Sequence, residues 1–129
     1  MSANPYAAKV SEYAQVSAHN RVAAADPQKL ILMLMDGALE RIAGARGCIE
    51  RNDVGGKAQL LNRATQIIGE LRASLDLSKG AQMAANLDDL YDYMIRRLLQ
   101  SNLQNTVAGL DEVATLLKEI RGAWAQLPR

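Results

Sequence analysis

The sequence predicts an all-α fold, an antiparallel four-helix bundle with a short N-terminal amphipathic arm, and three observations lead to it. Apolar residues recur at steps of three and four in four separate segments, which is the spacing of one face of a helix. The chain has four Tyr, one Trp and no Phe, so its core consists mainly of aliphatic residues and Met, which suit helix packing better than a sheet. Short links between the segments favour neighbouring antiparallel helices.

The size and charge of the chain exclude several classes of protein. At 129 residues it is one domain with a single core. Fifteen Lys and Arg against 14 Asp and Glu leave a net charge of +1, which gives no overall field for a nucleic acid or an anionic membrane. No apolar run approaches the roughly 18 residues of a membrane-spanning helix, and the single Cys cannot form an internal disulfide. We therefore expect a cytoplasmic protein that binds neither nucleic acid nor membrane.

Residues 1–25 are the least regular part of the chain, and we expect them to form an arm outside the bundle of residues 26–129. The larger apolar side chains of the arm recur at steps of four, three and three, on one face of a short helix. They are Tyr6, Val10, Tyr13 and Val16. The arm is therefore predicted to be amphipathic and weakly attached.

Asp26 and Pro27 predict the start of helix one. Asp is a favoured N-cap residue, and Pro suits the first helical position because a backbone N–H there would have no partner within the helix. The residues of this helix that face inward are Ile31, Met35, Ala38, Ile42, Ala45 and Ile49. The run from Leu30 to Met35 is apolar throughout and sweeps past a full turn, so one bundle interior cannot receive all of it. Some of this surface must be covered by another segment or by another protein.

Helix two is predicted from about Lys57 to Asp76, after a turn that contains Gly55 and Gly56. Its inward residues are Leu60, Leu61, Ala64, Ile67, Ile68, Leu71 and Leu75.

Helix three follows the loop of residues 77–82 and is predicted to be apolar on two sides. Its inward residues are Met83, Leu87, Leu90, Tyr91, Met94 and Leu98, with Asn102 at the tail. Beside them, Ile95, Leu99 and Leu103 broaden the apolar face beyond what one core requires. Tyr93, two residues from Tyr91, cannot share its face and is expected outside the core.

Asn102 and Arg97 leave two interpretations open: a hydrogen-bonded pair that closes the core, or contacts to the backbone of a partner. Helix four shows the most regular repeat in the chain, and Pro128 ends it. Its inward residues are Leu110, Val113, Leu117, Ile120, Trp124 and Leu127, and we expect Trp124 in the core.

The residues required for common catalytic and metal sites are missing from the sequence. A di-iron bundle needs a Glu-x-x-His pair on each of two helices, whereas the one histidine, His19, lies in the arm. Cys48 lies among small residues of helix one, which favours packing over nucleophilic chemistry. The Gly55–Gly56 pair lacks the Lys and Ser or Thr of a phosphate-binding loop. We expect no metal, no cofactor and no enzymatic activity.

Taken in order, the segments resemble the FliS-type flagellar export chaperone family over nearly the whole chain. The similarity lies in the tyrosines of the arm, Tyr6 and Tyr13, and in four stretches: DPQKLILMLMDGAL (26–39), LNRATQIIGELRASLD (61–76), LDDLYDYMIRRLLQSN (87–102) and EVATLLKEIRGAW (112–124). Three positions depart from the family pattern. Met35 stands where an aromatic residue is common, Ala81 replaces a second Gly, and Ser101 replaces an Ala.

This resemblance implies a cytoplasmic chaperone that binds the disordered C-terminal segment of flagellin as helices in apolar grooves. Binding would prevent premature polymerisation and assist type III flagellar export. Proteins of the flagellar export gate or regulatory proteins are further partners to consider, and the chain itself is expected to be a monomer or a weak homodimer.

The apolar surplus and the arm supply the residues that we expect to contact a partner. They are Tyr6, Val10, Tyr13, Leu32, Leu34, Met35, Leu71, Tyr93, Ile95 and Leu99. We hypothesise that the arm covers part of the groove in the free protein and is displaced by the flagellin segment.

Two other functions remain open from the residues alone. One is a helical-bundle phosphotransfer or signalling module with His19 as phosphoacceptor. The other is a constitutive homodimer that buries the surplus apolar surface against itself.

Overall fold

The computed structural model describes residues 26–76 and 80–128, and within them the chain consists of four α-helices and no strand. The helices are α1 (Pro27–Glu50), α2 (Val54–Ala73), α3 (Ala81–Gln104) and α4 (Ala108–Ala125). The predicted all-α four-helix bundle is confirmed. In this described part of the chain, no helix has the length and hydropathy to cross a membrane. The predicted arm, with His19, lies outside the described residues.

Each helix packs against its neighbours in the chain, and α4 returns to α1. The antiparallel course of α2 and α3 follows from contacts at both of their ends. Arg72 in the last turn of α2 pairs with Asp88 near the start of α3. Lys57 in the first turn of α2 donates a hydrogen bond to Asn105, which follows the last residue of α3.

The core contains apolar side chains from all four helices. The largest of those with almost no exposure are Met35, Ile42, Leu61, Ile68, Leu71, Met94, Leu98, Leu110, Val113 and Leu117. All ten occupy positions predicted to face inward. Full burial of one such side chain stabilises a fold by roughly 1.5–3 kcal/mol, so this cluster is the main source of stability.

The predicted start of α1 is confirmed, since the Asp26 carboxylate accepts a hydrogen bond from the backbone N–H of Lys29 at 3.3 Å. The predicted bounds of α2 are wrong at both ends. Asp53 caps α2 by accepting from the N–H of Gly56 at 3.0 Å, so the helix begins at Val54 and includes the glycines that were assigned to the turn. It ends at Ala73, three residues earlier than expected.

Gly56 lets the capping carboxylate fold over the first turn of α2. A Cβ at this position would lie 2.4 Å from Oδ2 of Asp53, which is too close for any side chain. The cap therefore requires glycine here because the Asp53 carboxylate approaches the backbone closely, and not because of the backbone conformation.

Lys57 is a buried charged residue, 4% exposed. Its ammonium group donates to the backbone oxygen of Asn102 at 3.1 Å and to Oδ1 of Asn105 at 2.9 Å. Asn105 adopts a left-handed conformation, with φ of 55°, as the C-cap of α3. Because the last carbonyls of a helix lack partners within it, Lys57 completes the end of α3 from the neighbouring helix.

Ser101, and not Asn102, takes the buried position at the end of α3. Ser101 is fully buried and its hydroxyl donates to the backbone oxygen of Arg97 at 2.9 Å, whereas Asn102 is half-buried. Of the two interpretations left open for Arg97 and Asn102, the hydrogen-bonded pair is not formed, because the Arg97 guanidinium instead donates to Glu112 of α4 at 2.8 Å.

A reciprocal set of hydrogen bonds joins the start of α1 to the end of α4. The Gln28 amide donates to the backbone oxygens of Trp124 and Leu127, both at 2.9 Å. The Trp124 indole donates back to the Gln28 backbone oxygen at 3.1 Å. Trp124 also packs against the core as predicted, whereas Leu127 is 49% exposed because α4 ends two residues before it.

Candidate functional site

An apolar pocket opens at the end of the bundle where α1 and α3 begin and α2 and α4 end. We call it the end pocket, and its volume is about 460 Å³. Its apolar and aromatic lining residues are Pro27, Leu30, Ile31, Leu75, Met83, Ala84, Leu87, Tyr91 and Trp124. A pocket of this size and lining can accept several apolar side chains of a partner.

Each wall of the end pocket has a local cause. Gly80 precedes α3 with φ of 56°, a conformation that glycine adopts without steric cost, and it lets the chain enter α3 at the pocket rim. Met83, predicted to face inward, is 71% exposed. It lies in the first turn of α3 and lines the end pocket, whereas its neighbour Ala84 is buried, with 6% exposed.

Tyr91 is the most enclosed polar group of the end pocket. Its side chain is buried, with 3% of the residue exposed. In residues 26–76 and 80–128 its hydroxyl has no hydrogen-bond partner, and because no fully enclosed side-chain oxygen or nitrogen there is left unpaired, the hydroxyl keeps some exposure. The residue lines the end pocket. Burial raises the pKa of the hydroxyl, which therefore stays neutral and able to donate.

A second apolar surface runs along the other half of α3, and we call it the α3 stripe: Ile95, Leu99 and Leu103. Leu99 is 48% exposed and Leu103 is 88% exposed. Asp92 points towards α2, where it meets Arg72. Ile95 and Leu99, three and seven residues further on, lie on the same face of the helix, so the stripe borders the groove between α2 and α3.

Charged residues separate the end pocket from the α3 stripe. Arg72 of α2 donates to Asp88 at 2.6 Å and to Asp92 at 3.2 Å, and Arg96 donates to Asp92 at 3.0 Å. The hydrogen bond from Arg72 lowers the pKa of Asp88. These charged residues therefore lie between the end pocket and the α3 stripe along α3.

The expected contact residues that the structure describes are buried, half-buried or exposed. Met35 and Leu71 lie inside the core, 0% and 1% exposed, so they offer no surface to a partner in this conformation. Leu34 and Ile95 are half-buried against the core, and Leu32 is half-buried. Leu99 is exposed on the α3 stripe. The expected contacts Tyr6, Val10 and Tyr13 lie outside the described residues.

Tyr93 lies outside the core, as expected, and binds α4. Its hydroxyl donates to the two carboxylate oxygens of Glu112 at 2.9 and 2.8 Å. The Glu112 carboxylate also accepts a hydrogen bond from Arg97. The hydrogen bond from Arg97 is the largest cause that lowers the pKa of Glu112, and the hydrogen bond from Tyr93 is the second. The side chain of Tyr93 is therefore occupied within the bundle.

Sequence reasoning did not identify the end pocket. Met83, Leu87, Tyr91 and Trp124 were all assigned to the inward faces of their helices. A signal was present, because these residues lie in the first three turns of α3 and the last turn of α4, where an inward position can face an open end instead of a closed core.

The described residues, 26–76 and 80–128, contain no cluster of three His, Cys, Asp or Glu that could hold a metal ion. Cys48 is buried at the end of α1, where Arg51 donates to its sulfur at 3.5 Å.

Comparison with known proteins assigns the chain to a family. Residues 9–129 match the family described as flagellar protein FliS. The chain is 47% identical over 120 residues to the flagellar secretion chaperone FliSB of Pseudomonas aeruginosa, covering 92% of this chain and 95% of that protein. It is also 47% identical over 122 residues to the flagellar secretion chaperone FliS of Salmonella typhimurium, covering 94% and 90% of the two chains.

A relative of lower identity is also similar over nearly the whole chain. The flagellar secretion chaperone FliS of Bacillus subtilis is 38% identical over 123 residues, or 95% of this chain and 85% of that protein. Similarity over nearly the whole length, together with the helical bundle, confirms the resemblance found in the sequence. The chain therefore belongs to the flagellar protein FliS family, and it is a flagellar secretion chaperone and not an enzyme.

Proposed function

We propose that this chaperone binds the C-terminal segment of a flagellin in the cytosol, prevents its premature polymerisation and assists its export. The observation that carries the proposal is the α3 stripe. Leu99 and Leu103 are exposed although the core beneath them is already complete without them. A helix that exposes a row of leucines offers a surface for the apolar face of another helix.

The end pocket supports the same function at the other end of α3. Larger exposed apolar patches on a soluble protein mark sites of interaction. From Leu87 to Leu103 the rise along α3 is roughly 24 Å, at 1.5 Å per residue. A flagellin segment that used both surfaces would need two apolar stretches, with a polar stretch between them to pass the charged residues around Arg72.

The arm is proposed to cover the end pocket in the free protein. Asp26 is the described residue next to the arm, and Pro27, which follows it, lines the end pocket. Tyr13 is thirteen residues before Asp26, and an extended chain of that length reaches up to about 45 Å, so the apolar face of the arm can reach the pocket. A cover of this kind lowers the apparent affinity for flagellin by the fraction of time that it is closed.

The proposal is tested by isothermal titration of the chain with a synthetic peptide of the source organism's flagellin C-terminus. We expect saturable one-to-one binding with a negative heat-capacity change, because apolar surface is buried. A peptide with the same composition in scrambled order is the control. No heat of binding between folded protein and intact peptide would contradict the proposal.

Deletion of residues 2–16 tests the covering role of the arm in the same assay. We expect tighter flagellin binding and lower solubility, since the cover is lost and apolar surface is exposed. Weaker binding would instead make the arm a part of the binding site.

A further inference from the structure

Two tyrosines on α3, two residues apart, differ in how their hydroxyl groups are bonded. Tyr93 donates to Glu112 within the bundle. Tyr91 is 3% exposed, and its hydroxyl has no partner in the described parts of the chain. Tyr91 is thus a buried polar residue that lines an apolar pocket, and its hydroxyl is available to donate to a group that enters the pocket.

An occupant of the end pocket excludes solvent from its lining. An apolar group that offered no acceptor would leave the Tyr91 hydroxyl desolvated and unpaired, which is unfavourable. An occupant with a correctly placed oxygen avoids this penalty and gains a hydrogen bond. Tyr91 therefore distinguishes between apolar segments that fill the pocket equally well.

The lining of the pocket indicates which oxygen is suitable. In the described chain the pocket is lined by no Lys, Arg or His, and Asp76 lies at its wall. The described lining offers no cation to pair with a carboxylate, which disfavours one there. A neutral carbonyl is favoured, and the last four carbonyls of a helix are free because they have no partner within the helix.

We propose that the end pocket receives the C-terminal end of an apolar helix of the flagellin segment, and that Tyr91 selects it by donating a hydrogen bond to a backbone carbonyl. Tyr91 is then a specificity-determining residue of the chaperone, a role that its inward position in the sequence did not indicate. The inference rests on the proposed function, because the flagellin segment is the occupant.

The test compares Tyr91→Phe with the wild-type chain and with Tyr93→Phe, in a titration with the flagellin C-terminal peptide. Tyr91→Phe keeps the ring and removes only the hydroxyl. Since a neutral hydrogen bond contributes about 1 kcal/mol, we expect binding to weaken by roughly 2- to 12-fold. The thermal unfolding of the free protein should not change, because the hydroxyl has no partner within the described chain.

Tyr93→Phe is the matched control, with the same chemical change on the same helix. It removes the hydrogen bond to Glu112, so we expect a lower unfolding temperature, which Tyr91→Phe should not show. Equal affinity of Tyr91→Phe and wild type would overturn the proposal. Tighter binding by Tyr91→Phe would also overturn it and would indicate that the hydroxyl bonds the arm in the free protein. No binding by the wild-type chain would refute the proposed function itself.

A second measurement tests the location without a variant of Tyr91. Trp124 is the only tryptophan of the chain and lines the end pocket. Its fluorescence emission should change as the peptide saturates the wild-type protein. Heat of binding without any change in the emission of Trp124 would show that the peptide binds elsewhere and would overturn the inference.

Discussion

Replacing Gly109 by Ala should destabilise the bundle, because α3 and α4 approach closely at this residue. A Cβ on Gly109 would lie 1.9 Å from Oγ of Ser101, which is far shorter than any non-bonded contact. Ser101 is fully buried, and its hydroxyl is bonded to the backbone oxygen of Arg97. Either the hydroxyl rotates away and loses its partner, or the two helices separate.

Both responses have a similar energetic cost. Leaving a buried hydroxyl without a partner costs about 1–3 kcal/mol, and overpacking that moves helices apart costs typically about 1–3 kcal/mol. Gly109 is the second residue of α4, so the gain in helix propensity from Ala, about 1 kcal/mol at most in a helix interior, offsets part of this. We expect a net loss of about 1–2 kcal/mol, which lowers the unfolding temperature by roughly 3–10 °C for a domain of this size.

A double-mutant cycle tests the physical reason. Ser101→Ala removes the oxygen that the new Cβ would meet, and the next nearest atom belongs to the flexible Arg97 side chain, at 3.2 Å. Gly109→Ala should therefore cost much less in the Ser101→Ala background, with a coupling energy of about 1–2 kcal/mol. Urea unfolding followed by circular dichroism at 222 nm measures all four proteins. The same loss in both backgrounds, or no loss in the first, would refute the reasoning.

Three further changes have predictable results. Lys57→Met should lower the free energy of unfolding in urea by about 1.5–3 kcal/mol, because the end of α3 loses two hydrogen bonds from a charged group; an unchanged midpoint would contradict the role given to Lys57. Leu99→Asp should weaken flagellin-peptide binding at least about tenfold while stability changes by less than about 0.5 kcal/mol, whereas Thr115→Asp on the exposed face of α4 should leave both unchanged. The lowered pKa of Glu112 stabilises the fold at pH values above its ordinary pKa of 4.5, and this contribution is lost as the pH falls through the lower pKa of the folded state. Stability should therefore fall less steeply below about pH 4.5 in Glu112→Gln than in wild type, and parallel curves would show that the carboxylate has no such effect.

The helices and their inward faces could be predicted because their signals are local. The alternating steps of three and four from Leu110 to Leu117 predict three core residues from the spacing within one helix alone. Asp26 and Pro27 likewise mark the start of α1 without reference to other helices. At α2 the local signal misled, because Gly55 and Gly56 are typical of turns. Here glycine serves to admit the carboxylate of Asp53.

The candidate site was harder to predict, because buried and partner-binding residues are of the same types. Met35 and Leu99 were both included among the expected contacts, yet the first is enclosed and the second is 48% exposed. Each lies on an apolar helix, and only the position of the neighbouring helices separates them. Met83 shows the opposite error, since it was expected to face inward and is 71% exposed at the open end of the bundle.

The sequence by itself determined the number and order of the helices, most of the core and the family, because heptad spacing and N-caps depend on residues close together in the chain. Only the tertiary structure decided where the bundle is left open and which polar groups remain unpaired. Tyr91 and Tyr93 are identical in type and two residues apart, but Tyr93 meets the Glu112 carboxylate and Tyr91 lines the end pocket. That difference depends on what the other helices bring opposite each ring, and no local pattern contains it.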